Sequence, residues 1–209
     1  MKRLTFFCLI AFFVLNLQAQ GLDTIKLNSP DKTSGLPVMQ AFSLRASVHE
    51  WADSMLSMQD LSDLLWATNG INRPAEGKRT APSAMNAQDV DVYVIMKEGT
   101  YLYNASLHTL IPVCSGDNRE LPGMTAAPVN LVLVSDLSRF RYGNDSSKLI
   151  LAAYDAGIVS QNIGLFCAGM NMVTRPRASF PDMAKLKETL RLTDSQHAML
   201  NNPVGYRKK

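Results

Sequence analysis

Arg79-Thr80-Ala81-Pro82-Ser83-Ala84-Met85-Asn86-Ala87-Gln88 runs almost directly into Val90-Asp91-Val92-Tyr93-Val94-Ile95-Met96. The second segment alternates with the period of a β-strand. The first gathers a cation, small residues, two hydroxyls, amides and a proline in one short loop. Such a loop offers hydrogen-bond donors without bulk and suits a flat polar ligand lying against backbone. Upstream lies a second basic and hydroxyl-bearing element, Arg45-Ala46-Ser47-Val48-His49. Together the two read as a cofactor site rather than as core.

Around this loop the chain divides into recognisable elements. Residues 21–37 are polar, with Pro30, Gly35 and Pro37, and read as an extended arm. Val38 to Ala46 is a short helix candidate. Ser57, with Asp60 three residues on, is a cap for a helix carrying Leu61, Leu64, Leu65 and Thr68, and Gly70 ends it. Residues 72–88 form the loop. Glu98-Gly99 turns the strand Val90–Met96 back into Tyr101-Leu102-Tyr103, a hairpin. Further strands are predicted over Leu110–Val113 and Asn130–Val134, the latter apolar enough to be central.

Ser146 to Met170 is the longest helix, with Asp145-Ser146-Ser147 as caps. Ile150, Tyr154, Ile158, Gln161, Leu165 and Ala168 lie near one face of it. A shorter helix falls within Phe180–Leu192, and His197–Tyr206 reads as a closing strand. Helices interleave with hairpins, so the fold class is α+β with a mostly antiparallel or mixed sheet.

The chain has 209 residues, 46% of them hydrophobic, enough for one compact domain over residues 38–209. Residues 1–20 read as a signal peptide: Lys2-Arg3, an apolar run from Phe6 to Leu17, and Ala19 near a cleavage point. The run is too short for a confident membrane span, so no stable membrane insertion is expected after its removal. An exported protein, periplasmic or secreted, follows. Removing the leader lowers the formal charge from +3 to +1. A nearly neutral domain lacks the clustered basic face that nucleic acid requires. Cys8 leaves with the leader, and no disulfide is expected between Cys114 and Cys167.

No phosphate-binding loop, dinucleotide fingerprint, zinc-protease motif or nucleophile elbow is present. His49, His108 and His197 are scattered, so no metal site is expected. A cofactor able to carry the chemistry itself, or a binding module, remains.

Three segments carry a family resemblance: Arg45-Ala46-Ser47, Leu61 to Ile71 and Arg79 to Asn86. The chain resembles the FMN-dependent nitroreductase family, nearest to its azoline (thiazole- or oxazole-forming) dehydrogenase branch. The hairpin Val92–Val94 with Tyr101–Tyr103 is similar too, as are Gly157, Gln161-Asn162 and Leu165 of the long helix and the closing Pro203-Val204-Gly205-Tyr206. The resemblance spans residues 38–207. It implies a nitroreductase-like fold, a central sheet flanked by helices, and a homodimer with FMN at the subunit interface.

It further implies that Arg45, Ser47 and His49 meet the flavin from one subunit. Pro82, Ser83, Ala84 and Asn86 approach from the other, and Arg207 or Lys208 meets the phosphate. The chemistry suits this, since a guanidinium supplies forked donors and a hydroxyl serves either way. Plainer readings stand beside it: Arg45 as a solvated helix end, Pro82-Ser83 as a simple turn, and the basic C-terminus as a frayed tail.

The tandem arginine common in the family is reduced here to Arg45-Ala46, and Arg175 and Arg177 are candidates to restore the charge. The expected activity is hydride exchange between flavin N5 and a small planar or heterocyclic substrate. The alternative is a non-catalytic flavin- or small-ligand-binding dimer. NAD(P)H as electron donor is left open, because an exported enzyme works where nicotinamide donors are scarce.

Overall fold

The computed structural model describes residues 21–123 and 127–208. The leader expected over residues 1–20, Cys8 included, lies outside the described residues, as does Lys209.

Among the described residues thirteen α-helices and β-strands follow in chain order. They are β1 (Ile25–Lys26), α1 (Val38–Leu44), α2 (Met58–Asn69), β2 (Ile71–Arg73), β3 (Lys78–Arg79), β4 (Val90–Ile95) and β5 (Gly99–Asn104). After these come β6 (Thr109–Ser115), β7 (Val129–Asp136), α3 (Asp145–Gly169), β8 (Met172–Thr174), α4 (Met183–Leu190) and β9 (Gln196–Tyr206). Seven strands form one sheet in the order β1-β6-β5-β4-β7-β9-β8. Every neighbouring pair in it is antiparallel, so the expected mixed or antiparallel sheet is antiparallel.

The alternation in β4 sorts residues between two cores rather than between core and water. Val90, Val92 and Val94 point into one, with α2 and α3; Tyr93 and Ile95 point into the other, with Leu186 and Leu190 of α4. β7 divides in the same way, Leu131 and Leu133 against Val132 and Val134. Successive side chains of a strand face opposite sides, so a sheet plated on both faces needs apolar residues at nearly every position. Each fully buried leucine contributes about 1.5–3 kcal/mol of transfer free energy.

Helix ends follow local rules. Ser57 caps α2, its hydroxyl accepting from the Asp60 amide at 3.0 Å. The far end of the chain reinforces that cap: Tyr206 accepts from the Ser57 amide at 2.9 Å and donates to Asp60. At α3 the cap is Asn144, one residue before the predicted group, accepting from the Ser147 amide at 2.9 Å. α4 lies within the predicted Phe180–Leu192, where Asp182 caps its start and Arg191 closes it in the left-handed region at φ 55°.

Two segments gain structure that local pattern did not announce. In the 72–88 loop, β2 and β3 form a small ribbon, turning at Gly77 with φ 62°, a conformation glycine adopts without Cβ strain. The 21–37 arm docks: β1 adds an edge strand to β6. The Asn28 amide donates to Ser62 at 2.9 Å and the Asp31 amide to Asp63 at 2.8 Å, which supplies partners for two buried polar side chains of α2. Cys114 and Cys167 are both free thiols.

Candidate functional site

α1 ends at Arg45, where the backbone leaves helical geometry at φ −58° and ψ 121°. The chain then runs extended, and Ser47 forms a parallel bridge with Thr174 at the end of β8. The Val48 amide donates to the Thr174 carbonyl at 3.1 Å. This single bridge sets His49 beside Arg175, whose guanidinium hydrogen-bonds the imidazole Nδ1. Arg45 lays its aliphatic stem on α3 at Gly164, where a Cβ would stand 3.9 Å from its Cγ and Cδ.

Arg45, Ser47, His49, Thr174 and Arg175 therefore belong to one locality. The Thr174 hydroxyl is buried there without a hydrogen-bond partner among the described residues. An orphaned hydroxyl of this kind is what an anionic or carbonyl-bearing ligand would satisfy.

Arg177 is different. Its guanidinium donates to the Gly123 carbonyl and its backbone pairs with Asn201, so it braces a loop against β9. Of the two candidates to restore the missing cation, only Arg175 stands with His49. Arg207 lies past the end of β9. Thr174 pairs with Val204, so Arg207 is three residues farther along, about 10 Å at strand rise. With Lys208, Ala52 and Asn171 it lines an open cavity of about 840 Å³.

Pro82, Ser83, Ala84 and Asn86 form the second half. The Ala84 amide donates to both carboxylate oxygens of Asp155, at 3.0 and 2.9 Å. The Ser83 hydroxyl accepts from the Gln88 amide at 2.8 Å, and Arg79 Nε donates to the Gln88 side chain at 2.9 Å, closing the loop on itself. Met85, Asn86 and Gln88 all have positive φ, at 54°, 52° and 48°. Non-glycine residues rarely adopt this region, and where they do, surrounding structure holds them there, commonly at functional sites.

The two halves contact α3 at separate places. One lies against Gly164 and the other against Asp155, nine residues apart on α3, about 13 Å along its axis. The outer face of α3, from Ile150 through Tyr154 to Ile158, is apolar and open. Tyr154 is 64% exposed and Ile150 54%; on α1, Met39 is 74% exposed and Val38 60%. The residues read in sequence as one face of α3 are thus largely its outward face. The buried face is Ala152, Asp155, Ala156, Val159, Ser160, Ile163 and Cys167.

A separate cavity of about 360 Å³ opens between the arm, α1, α2 and α3. Trp66, Phe166 and Met170 wall it, and Lys32 Nζ stands 5.2 Å from the Trp66 ring centroid. Asn162 of α3 donates to the Thr68 carbonyl at 3.3 Å, so one of the two amides in that helix satisfies backbone. Among the described residues no group of three or more His, Cys, Asp or Glu is placed to hold a metal ion.

Asp155 and its neighbour Asp89 were not singled out in the sequence. The signal was available: one acid in an otherwise apolar helical stretch, and one acid immediately before a buried strand. Burial first, and then the facing Asp155, push the Asp89 carboxyl up from 3.8 to about 7.

An antiparallel sheet plated by helices, with a cationic edge at β8 and a strained small-residue loop on α3, defines a known class of α+β protein. The family model described as "Nitroreductase family" matches residues 45–206, so the chain belongs to the nitroreductase family of oxidoreductases. A nitroreductase-type protein of Methanocaldococcus jannaschii is 24% identical over 199 residues, covering 88% of this chain and 97% of its own length.

Among solved structures, a nitroreductase-type protein of Ralstonia eutropha superposes with a TM-score of 0.84 at 32% identity, covering 89% of this chain and 90% of that one. The Escherichia coli microcin synthetase McbBCD complex gives a TM-score of 0.67 at 16% identity over 98% of this chain and 85% of that one, a likeness of fold.

Proposed function

We propose that the protein is an exported FMN-dependent oxidoreductase acting on a small planar or heterocyclic substrate, as a homodimer. The observation that carries this reading is the Ser47–Thr174 bridge, which gathers Arg45, Ser47, His49 and Arg175 at one edge. The donor set fits FMN. Arg45 and Arg175 supply fixed cations with forked donors for phosphate or a ring carbonyl, and the Ser47 and Thr174 hydroxyls serve as donor or acceptor. Arg207 and Lys208 reach the same ligand only at its far end. When bound, FMN supplies hydride exchange at N5; the protein residues bind, orient and shield it.

The dimer follows from incompleteness. Pro82, Ser83, Ala84 and Asn86 are held at Asp155, nine residues or about two and a half turns from Gly164, and so on the opposite face of α3 from Arg45 in the same chain. The open apolar surface of α1 and α3 is of the kind that marks a protein interface. A second copy seated there would bring its loop to the first copy's arginines. The sequence resemblance to the azoline-dehydrogenase branch is what favours a heterocyclic substrate. Export rests on the leader pattern of residues 1–20.

The test is a visible absorption spectrum of the purified mature protein with and without added FMN. Flavin bands or saturable binding support the reading; their absence at all concentrations overturns it. Anaerobic mixing of the FMN-loaded protein with NADH or NADPH then separates the donors. Bleaching identifies a nicotinamide-driven reductase; a flavin that stays oxidised but bleaches with substrate identifies a dehydrogenase.

A further inference from the structure

The structure assigns Asp155 as a positioning residue for the Pro82–Asn86 loop, holding it through a proton shared with Asp89. Asp155 lies on the buried face of α3 and spends both oxygens on one amide, that of Ala84. Asp89 is fully buried immediately before β4, with its carboxyl facing Asp155. Its Oδ2 accepts from the Ser135 hydroxyl, while its Oδ1 has no partner among the described residues. A proton on Oδ1, donated to Asp155, satisfies that orphan and keeps two buried carboxyls from facing each other as anions.

The remaining charges near Asp89 are engaged elsewhere. Arg139, from the turn after β7, makes a two-pronged pair with Asp91 at 2.6 and 2.9 Å, contacts Asp136, and donates to the Gln88 carbonyl at 2.9 Å. Arg79, from β3, donates to Gln88 and to the Asn69 carbonyl, with Tyr103 beside it. Neither guanidinium donates to the Asp89 carboxylate, and the burial of Asp89 outweighs them.

Loss of the shared proton places two anions together in the core. Asp89 cannot retreat: Ser135 holds its side chain and the Asp136 amide its carbonyl, at 3.0 Å. Asp155 is built into α3. The element free to give is the loop, which already carries three positive-φ residues. The carboxyl pair therefore sets how firmly the loop is held, and, on the flavin reading above, how well its backbone meets the cofactor.

The test is hydrogen–deuterium exchange of the peptide spanning Arg79–Gln88 in the whole protein between pH 5.5 and 8.5, corrected for intrinsic exchange. One linked proton predicts a loss of protection approaching tenfold per pH unit while the closed loop still holds the proton that the open one releases, levelling off once the closed pair has ionised above about 7. Asp89→Asn, which keeps a donor toward Asp155, should flatten the profile. Asp155→Asn, whose side-chain oxygen still accepts from Ala84, should retain protection that Asp155→Ala loses. Ser135→Ala removes a donor that favours the Asp89 anion, and should move the fall to higher pH even if Asp89→Asn does not fold.

A pH profile unchanged in both Asp89→Asn and Ser135→Ala, or full protection in Asp155→Ala, would overturn the assignment. Titration with FMN and with riboflavin, which lacks the titrating phosphate, separates the two readings. If neither binds, the flavin reading fails and the exchange result still decides the role of Asp155.

Discussion

The Ala84 amide reaches both oxygens of Asp155, 71 residues away in sequence, at 3.0 and 2.9 Å. This contact fixes the small-residue loop to the middle of α3, while Arg45 lies farther along the same helix at Gly164. One helix thus carries both candidate segments at separate places, and the proposed dimer is the arrangement that would bring them together.

Arg45→Ala should weaken FMN binding by roughly 1.5–3 kcal/mol, the worth of a hydrogen bond to a charged group. Flavin fluorescence quenching measures it. An unchanged dissociation constant removes Arg45 from the site.

Arg175→Ala and Arg177→Ala should separate cleanly. Arg175 pairs with His49 at the cationic edge, and its loss should weaken FMN by a comparable roughly 1.5–3 kcal/mol. Arg177 holds the Gly123 carbonyl, so its loss should lower thermal stability and leave affinity near that of the parent. Parallel melting and flavin titrations check both; equal effects on affinity would refute the distinction.

Tyr154→Glu should convert the dimer to monomer and abolish FMN binding together, because it puts a charge on the exposed apolar face of α3. Light scattering and flavin titration on the same samples decide this. A monomeric variant that still binds FMN at parental affinity would show that one chain completes the site.

Asp89 carries a pH dependence whose sign is fixed by its shift. Burial, then Asp155, raise its carboxyl from 3.8 to about 7 in the folded protein. The folded state holds this proton more tightly than the unfolded chain. The stability it contributes is full below about pH 3.8 and is lost as pH rises toward 7. The melting temperature of Asp89→Asn should therefore gain on the parent across that window and hold a constant lead above it. A difference that does not vary with pH would contradict the shared proton.

Much of the fold was legible residue by residue. Ser57 with Asp60, the alternation over Val90–Met96 and the Glu98-Gly99 turn are local signals, and each produced the predicted element. The ribbon at Ile71–Arg79 and the two-residue β1 were not legible, since strands this short take their stability from partners rather than from pattern.

For the site, composition marked the Arg45–His49 and Arg79–Gln88 segments as suited to a polar ligand, and the family resemblance named the residues within them. Nothing local told Arg175 from Arg177, which differ only in where β8 and the Ser47 bridge deliver them.

By itself the sequence determined the longer elements, their antiparallel bias and the chemical character of the two candidate segments, because these depend on periodicity, capping and residue type over a few neighbours. The tertiary structure alone decided that Ser47 meets Thr174, that Ala84 meets Asp155, and that Ile150 and Tyr154 look outward. Those facts depend on which surfaces pack across tens of residues, and burial of apolar area is indifferent to sequence distance.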